Sequence, residues 1–347
     1  MADLLLQPFV EALGEEFPIT GTTRDQLRAA IRYAILAPSS HNSQPWVFRL
    51  FDEHLDLMAD RSRRLPVVDP DDRELLISCG AALFNLRLAL RHFGIAERVE
   101  VLPDPGNPDL LARVTVQGRA EPSEEDHELF EMLRKRHTDR SPFKSSPVPE
   151  PVLATLAADA AKEGAWLAVV RAESARHEVA ELVARGDRVQ MADAAFRQEL
   201  ASWMRPNGSH KRDGMPGYAH ELGRLGAFTG PLIVRTFDVG KRRAAHDEAL
   251  AQGSPVLAVL GTDHDRPVAW LAAGQALAHI LVRARLAGVS ASFLNQPIEV
   301  PNLRLPLQTL TARPGYPQLL LRLGYSTRAR VRATPRRSLE TTLSGEL

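Results

Sequence analysis

The chain has 347 residues, of which 44% are hydrophobic and 25% charged, enough apolar material for one large fold or two modules. Its 43 basic and 43 acidic side chains cancel, so no overall charge favours nucleic acid or anionic lipid as a partner. The single cysteine, Cys79, excludes an intramolecular disulfide framework and any multi-cysteine metal site, and its apolar neighbours predict a buried, unreactive thiol.

The N-terminus lacks the basic and apolar regions of a signal peptide. The longest uncharged run, residues 267–282, is shorter than the roughly 20 residues that a membrane span needs. We therefore expect a cytoplasmic protein with no membrane or nucleic-acid partner.

In chain order, the first predicted elements are a helix and two strands. Thr23 and Gln26 have the spacing of a capping box, and the helix that follows must end before Pro38. Residues 47–50 and 55–58 are predicted to form paired strands.

Between the helix and the first strand lie residues 37–46, Ala-Pro-Ser-Ser-His-Asn-Ser-Gln-Pro-Trp. Asn42 and Gln44 each present a donor and an acceptor, and the two prolines fix the backbone φ angle. Such a loop suits a planar heteroaromatic ligand with carbonyls, ring nitrogens and one N–H. On composition alone, a polar turn closed by prolines is the favoured interpretation.

A long amphipathic helix is predicted from Glu74 to His92, and strands over 99–102 and 111–116 complete a first half by about Gly118. The later predicted elements are helices over 123–136, 179–189, 192–204 and 270–287, and strands over 166–170, 256–260 and 319–323. Residues 172–254 form a long interval with many Gly and Pro residues near 205–217, which indicates a lid.

The two long helices share a pattern. The first helix contains Gly80-Ala-Ala-Leu and is followed by Gly94. The second contains Gly274-Gln-Ala-Leu and is followed by Gly288, and the interval between the two glycines is the same in both. This spacing predicts two copies of one α+β unit, although chance likeness between two amphipathic helices also accounts for a few identities.

The pattern APS-x-x-N-x-QPW in residues 37–46 resembles the flavin loop of the FMN-dependent nitroreductase superfamily. In that superfamily the partner subunit supplies a helix-end motif that R-H-T-D-R at 136–140 resembles. Here the loop lies in the first half and the motif in the second. With the ending T-P-R-R at 334–337, the chain resembles the fused, tandem Acg-like actinobacterial branch.

The resemblance implies an α+β nitroreductase-like fold of two tandem half-repeats, residues 1–121 and 122–347, each with a mainly antiparallel sheet flanked by helices. The halves would form an intramolecular pseudo-dimer with a lid over about 172–254. Both parts of one flavin site would lie in the same chain, so a monomer should bind flavin, while further association stays open.

The resemblance also implies the residues that bind FMN. Pro38, Ser39, Ser40 and Asn42 would face the isoalloxazine, and Gln44 belongs to the same loop. Arg136, Arg336 and Arg337 are candidates for the phosphate, because guanidinium groups are permanently charged and bind phosphate bidentately. His137 and Thr138 would contact the ribityl chain or ring edge, and Arg140 would lie near N1 and the C2 carbonyl. Pro297, Ile298 and Glu299 resemble a turn whose backbone N–H faces flavin N5. Arg328, Arg330 and Arg332 are interpreted as solvated charge.

The implied function is an FMN-dependent oxidoreductase that passes hydride from NADH or NADPH to a nitro, quinone or other conjugated small-molecule acceptor, with no catalytic side chain assigned. One alternative is a flavin-binding or flavin-storing protein whose lid shuts out substrates, and another is a biosynthetic flavin oxidase or dehydrogenase. The chain lacks G-x-G-x-x-G, P-loop and G-x-S-x-G motifs, so Rossmann, NTPase and hydrolase functions have no support. His264 has no partner cluster for a metal.

Overall fold

A computed structural model describes residues 16–220, 234, 240–329 and 331–344. The helices are α1 (Thr23–Ala34), α2 (Arg73–His92), α3 (Glu124–Leu133), α4 (Glu150–Lys162), α5 (Glu173–Ala192), α6 (Ala194–Trp203), α7 (Gly240–Gln252), α8 (Pro267–Leu286), α9 (Gln296–Glu299), α10 (Pro301–Leu310) and α11 (Leu339–Thr342). The strands are β1 (Trp46–Leu50), β2 (His54–Ala59), β3 (Ile95–Val101), β4 (Leu110–Arg119), β5 (Trp166–Val169), β6 (Met204–Arg205), β7 (Met215–Pro216), β8 (Val256–Thr262), β9 (Ser290–Phe293), β10 (Tyr316–Gly324) and β11 (Leu343–Ser344).

Two sheets form the body of the fold. The first has the strand order β11-β1-β2-β4-β3, and only its β1–β11 pair is parallel. The second has the order β5-β8-β10-β9 and is antiparallel throughout. The predicted α+β class with mainly antiparallel sheets is confirmed. In the described ranges, no helix is both long and apolar enough to cross a membrane.

Most predicted elements occur within a few residues of their expected bounds, but the first helix cap was placed wrongly. The capping box is formed by Thr22 and Asp25, one residue before the predicted pair. The Thr22 hydroxyl accepts from the Asp25 N–H at 3.2 Å, and the Asp25 carboxylate accepts from the Thr22 N–H at 3.1 Å. Asp performs here the role that the sequence motif assigns to Glu or Gln.

Helices α2 and α8 cross at the centre of the molecule, and small residues permit the crossing. A Cβ added to Gly80 would lie 2.2 Å from the Leu271 carbonyl oxygen, and one added to Gly274 would lie 2.0 Å from that of Ile77. Ile77 corresponds to Leu271 in the repeat just as Gly80 corresponds to Gly274. Such reciprocal contacts are typical of a twofold interface, as expected for an intramolecular pseudo-dimer.

The chain end returns to the first half. Because β11 pairs with β1, the segment before it, residues 331–337, lies beside the loop 37–46. Cys79 is fully buried and its Sγ lies 3.2 Å from the Pro45 carbonyl oxygen, as the sequence predicted for an unreactive thiol.

Part of the predicted lid is regular helix. In α5, Val179 and Val183 are fully buried against the second sheet, so this helix belongs to the body. Residues 204–218, here called the strap, contain β6 and β7 and contact the loop 37–46. Residues 221–233 and 235–239 of the predicted lid lie outside the described residues.

Candidate functional site

A cavity of about 350 Å³ lies where the two halves meet. Its walls come from the loop, from α2, from the segment after α3, from α8 and α9, and from the strap and the C-terminal segment. Ten predicted site residues line it: Pro38, Ser39, Ser40, Asn42, Arg136, His137, Thr138, Arg140, Glu299 and Arg336. Four others do not: Gln44, Pro297, Ile298 and Arg337.

The loop has an unusual backbone. His41, Asn42 and Gln44 have φ angles of 52°, 53° and 54°, in the left-handed region that residues other than glycine rarely adopt. Local bonds hold this shape: the Asn42 N–H donates to the Ser39 carbonyl at 3.0 Å, and the Gln44 N–H donates to the Ser39 hydroxyl at 3.0 Å. The prolines alone therefore do not define the loop.

The Asn42 amide joins the loop to the strap and to the C-terminal segment. Its Nδ2 donates to the carbonyl oxygens of Gly214 at 3.0 Å and Pro335 at 3.1 Å, and its Oδ1 accepts from Arg336 Nη1 at 3.1 Å. All the hydrogen-bonding groups of this amide thus have protein partners.

Gln44 has a similar role behind the cavity wall. The residue is fully buried, its Nε2 donates to the Arg212 carbonyl at 2.9 Å, and its Oε1 accepts from the Arg337 N–H at 2.8 Å. Arg337 also donates to the Gln44 carbonyl at 3.2 Å. Both residues support the loop from outside the cavity.

One end of the cavity is strongly basic. Arg136 and Arg336 both donate to the Leu36 carbonyl oxygen, at 3.4 and 3.2 Å. Among the described residues, neither guanidinium pairs with a carboxylate, and Arg336 Nε is buried without a partner. Burial lowers the pKa of Arg136 to about 10, and burial with the nearby Arg136 charge lowers that of Arg336 to about 9. Two buried, uncompensated cations favour an anion here.

The residues after Arg136 continue this wall. Burial, with Arg136 and Arg336 nearby, lowers the pKa of His137 to about 3, so its imidazole is neutral at pH 7. Thr138 forms a parallel β-bridge with Ala291 of β9, and the Asp139 N–H donates to the Ala291 carbonyl at 3.1 Å. This pairing fixes the segment against the second sheet.

Two glutamates, Glu74 and Glu299, also line the cavity. The Ser40 hydroxyl donates to the Glu74 carboxylate, which also pairs with Arg73 at 3.1 Å. Glu299 accepts from Gln190 Nε2 at 2.5 Å. Burial and, secondarily, the Glu74 charge raise the pKa of Glu299 to about 8.

The segment 297–299 differs from the expected turn. It is part of the one-turn helix α9, in which the N–H groups of Ile298 and Glu299 donate to the Asn295 carbonyl at 2.8 and 3.0 Å. These N–H groups are therefore not directed at a ligand, because a preceding carbonyl already accepts from them. The Glu299 side chain lines the cavity instead.

Sequence reasoning missed several cavity residues. Arg243 of α7 lines the cavity and its Nε lies 3.0 Å from Asp187 Oδ1, with no motif to mark it. His41 occupies a variable position of the loop pattern, and burial, with Arg243 and Arg140 nearby, lowers its pKa to about 4.

Two of the three arginines interpreted as solvated charge near the chain end also border the cavity. Arg328 and Arg332 line the cavity although they are exposed, and Arg332 lies 4.0 Å from the ring centroid of Tyr218. Arg330 lies outside the described residues.

The described residues contain no group of three or more His, Cys, Asp or Glu side chains arranged for a metal ion. Near His264, Asp265 forms two bonds with Arg304, at 2.6 and 3.0 Å.

No family model matches the chain. Two Mycobacterium tuberculosis H37Rv proteins, Rv3131 and acg, both named "Putative NAD(P)H nitroreductase", are similar to it. Rv3131 is 34% identical over 339 residues, covering 94% of this chain and 92% of its own length. The acg protein is 29% identical over 330 residues, covering 93% and 96%.

Among solved structures, the FMN-dependent nitroreductase NfnB from Mycobacterium smegmatis, in complex with NADPH, matches 65% of this chain and 100% of its own. Its TM-score is 0.40 at 14% identity. The stronger finding is the sequence similarity to Rv3131, which extends along nearly the whole of both chains. The chain belongs to the nitroreductase superfamily, in the group that includes Rv3131 and Acg.

Proposed function

We propose that the chain is an oxidoreductase that binds one FMN in this cavity and passes hydride from NADH or NADPH to a nitro, quinone or other conjugated acceptor. The observation that carries the proposal is the pair of buried guanidinium groups, Arg136 and Arg336, which lack a carboxylate partner among the described residues. FMN ends in a phosphate dianion, which such a pair is suited to bind. The names of Rv3131 and acg point to the same chemistry.

The remaining residues of the cavity fit the rest of this cofactor. Thr138 and His137, next to the arginine pair, would hydrogen-bond the ribityl chain. Arg140 would place a permanent cation where reduced flavin carries negative charge, and Ser39 and Ser40 would contact the ring edge. FMN, when bound, supplies the two-electron redox chemistry, while the protein supplies binding and orientation.

We further propose that residues 1–121 and 122–347 act as two halves that build one site per chain. Eleven residues, 35–45, join α1 to β1 and form the polar loop, whereas only residues 163–165 join α4 to β5. The shorter connection leaves the second half without an equivalent loop. This difference favours one flavin per chain and a monomer that binds it.

The phosphate assignment is tested by FMN titration of Arg136→Ala and Arg336→Ala, with Arg98→Ala as the control because Arg98 is exposed and pairs only with Glu100 among the described residues. Each cavity variant should bind FMN about 10- to 150-fold more weakly, the equivalent of about 1.5–3 kcal/mol for hydrogen bonds to a charged group. The control should bind like the wild type.

Absorbance of the purified protein, followed by denaturation and quantification of released flavin, gives the stoichiometry. About one FMN per chain supports the proposal. Wild-type affinity in both cavity variants, or about two FMN per chain, would contradict it.

A flavin-binding protein without turnover is the second candidate, and one observation favours it. The strap is fixed to the first half by an ion pair between Arg63 and Asp213 and by the bonds of Asn42 to Gly214. Anaerobic mixing with NADH or NADPH separates the candidates. Flavin reduction supports the oxidoreductase, whereas no reduction in the wild type or in an FMN-binding Asp213→Ala variant supports storage.

A further inference from the structure

We propose that Glu299 is the proton donor of this cavity and delivers the proton that an acceptor oxygen gains when the acceptor is reduced by hydride. The inference rests on the proposed function of the same cavity. It assigns a side-chain acid to a site for which the sequence indicated none.

The geometry places the Glu299 carboxyl group where it can act on a ligand. The residue ends α9, its side chain lines the cavity, and its Oε2 accepts from Gln190 Nε2 at 2.5 Å. Among the described residues, no Lys, Arg or His side chain forms an ion pair with it. Gln190 therefore orients the carboxyl group without contributing a positive charge.

The charged groups around Glu299 are already paired with others. From α2, Arg73 pairs with Glu74 at 3.1 Å and also donates to the Gln318 carbonyl at 2.7 Å. From α7, Arg243 pairs with Asp187 of α5, Nε to Oδ1, at 3.0 Å.

Arg304, on the neighbouring helix α10, is also paired. Arg304 of α10 bonds to Asp265 and to the Pro317 carbonyl at 2.9 Å, and β10 contributes Gln318 and Leu319. The nearby Glu74 charge therefore raises the pKa of Glu299, and no described cation forms an ion pair with Glu299 to offset this effect.

The two glutamates that line the cavity have different partners. Glu74 pairs with Arg73 and accepts from the Ser40 hydroxyl, whereas Glu299 accepts only from Gln190 among the described residues. Burial and the Glu74 charge raise the pKa of Glu299 to about 8, so Glu299 keeps its proton at pH 7. A general acid works best when its pKa lies near the operating pH.

The proton transfer would balance if the anionic form of reduced flavin were the hydride donor and a quinone the acceptor. The hydride carries two electrons and one proton to the quinone, and the Glu299 carboxyl proton goes to the oxygen that takes up negative charge. The products are the hydroquinone, oxidised flavin and the Glu299 carboxylate. Water entering the cavity then returns a proton to the carboxylate.

The first test reads the proton directly and needs no turnover. Infrared spectra of the protein as purified, with isotope-labelled glutamate to separate Glu from Asp carboxyls, are recorded from about pH 5 to about pH 10. A glutamic-acid C=O band should persist at pH 7 in the wild type and be absent from Glu299→Gln. In Glu74→Gln, the band should disappear at a lower pH than in the wild type. Absence of the band at pH 7, or a band that survives Glu299→Gln, would overturn the proposal.

The second test compares acceptors in the FMN-loaded protein. Glu299→Gln should slow reoxidation by a quinone about 100-fold, within the range known for general acids, but leave reoxidation by ferricyanide unchanged because a one-electron acceptor takes no proton. Equal slowing of both would contradict a proton-donor role. Failure to bind FMN would overturn the proposed function and the donor role with it, whereas loss of the infrared band in a protein that binds FMN would overturn the Glu299 assignment alone.

Discussion

At the scale of single residues, the amides of the loop 37–46 hold chain segments together. Gln44 lies outside the cavity and bonds to Arg212, while Asn42 lines the cavity and also bonds to the strap and the C-terminal segment. Asn tolerates the left-handed backbone that this position requires, with a φ of 53°. One residue therefore serves both the backbone shape and the joining of three chain segments.

Asn42→Ala should destabilise the protein by about 1–3 kcal/mol, because the Gly214 carbonyl loses its donor, the Pro335 carbonyl keeps only Arg336 Nη1, and Arg336 loses its acceptor on Asn42. Urea unfolding measures the change. Gln252→Ala is the control, since Gln252 is exposed and, among the described residues, its side chain forms only a 3.3 Å bond to Glu248. Equal stability of the two variants would show that the amide does not hold these segments together.

At the scale of elements, the crossing of α2 and α8 determines how the two halves meet. The cavity contains residues from both helices on one side of the crossing, among them Ile77 and Leu277. The separation of the helices is set by Gly80 and Gly274, because no side chain fits between each glycine and the facing carbonyl.

Gly80→Ala should therefore destabilise the protein by about 1–3 kcal/mol through overpacking, although alanine is the better helix former. The added Cβ would lie 2.2 Å from the Leu271 carbonyl oxygen, a backbone atom that cannot rotate away. Gly208→Ala is the control, since a Cβ there has no neighbour within 4 Å. Thermal unfolding compares them, and a Gly80→Ala variant as stable as the wild type would refute the tight crossing.

At the scale of the whole molecule, the formal net charge is zero, but charged side chains of both signs are concentrated around the cavity. Arg136 and Arg336 meet at the Leu36 carbonyl in the cavity wall, which Glu74 and Glu299 also line. Burial raises the pKa of Glu299 to about 8 and that of Asp187 to about 7, with neighbouring carboxylates adding to both shifts. The folded protein thus holds protons that the unfolded chain releases.

These raised values make stability depend on pH in a definite direction. The contribution of Glu299 to the free energy of unfolding is fully present below the ordinary Glu pKa of about 4.3 and is lost as pH rises through about 8. His41 acts in the opposite sense: its pKa is lowered to about 4, so its contribution is lost as pH falls below 6.5. A comparison of variants isolates the Glu299 contribution from that of His41.

The melting temperature of Glu299→Gln minus that of the wild type should rise between about pH 5 and about pH 8 and then level off. A gain of about 1 kcal/mol in the free energy of unfolding of Glu299→Gln, relative to the wild type, corresponds to a rise in melting temperature of roughly 2–4 °C in a domain of moderate size. A difference that does not change with pH would mean that Glu299 is already ionised in the folded protein.

The sequence alone determined the class of fold, the bounds of the long helices and the two segments that meet at the site. Those features are local: apolar spacing specifies α2 and α8, and loop 37–46 and motif 136–140 carry their chemistry in adjacent residues. The family resemblance read from the loop and the motif was confirmed by relatives that match almost the whole chain.

Only the tertiary structure decided which polar groups face the cavity and which are used to hold it together. Gln44 and Arg337 proved to support the loop, whereas Arg243, with no motif around it, came into the wall from a helix distant in sequence. The surroundings of Glu299 likewise include Gln190 and the neighbours Arg73 and Glu74, which all lie far from Glu299 in the chain. Burial and charge pairing arise from contacts between distant segments, and no local pattern records them.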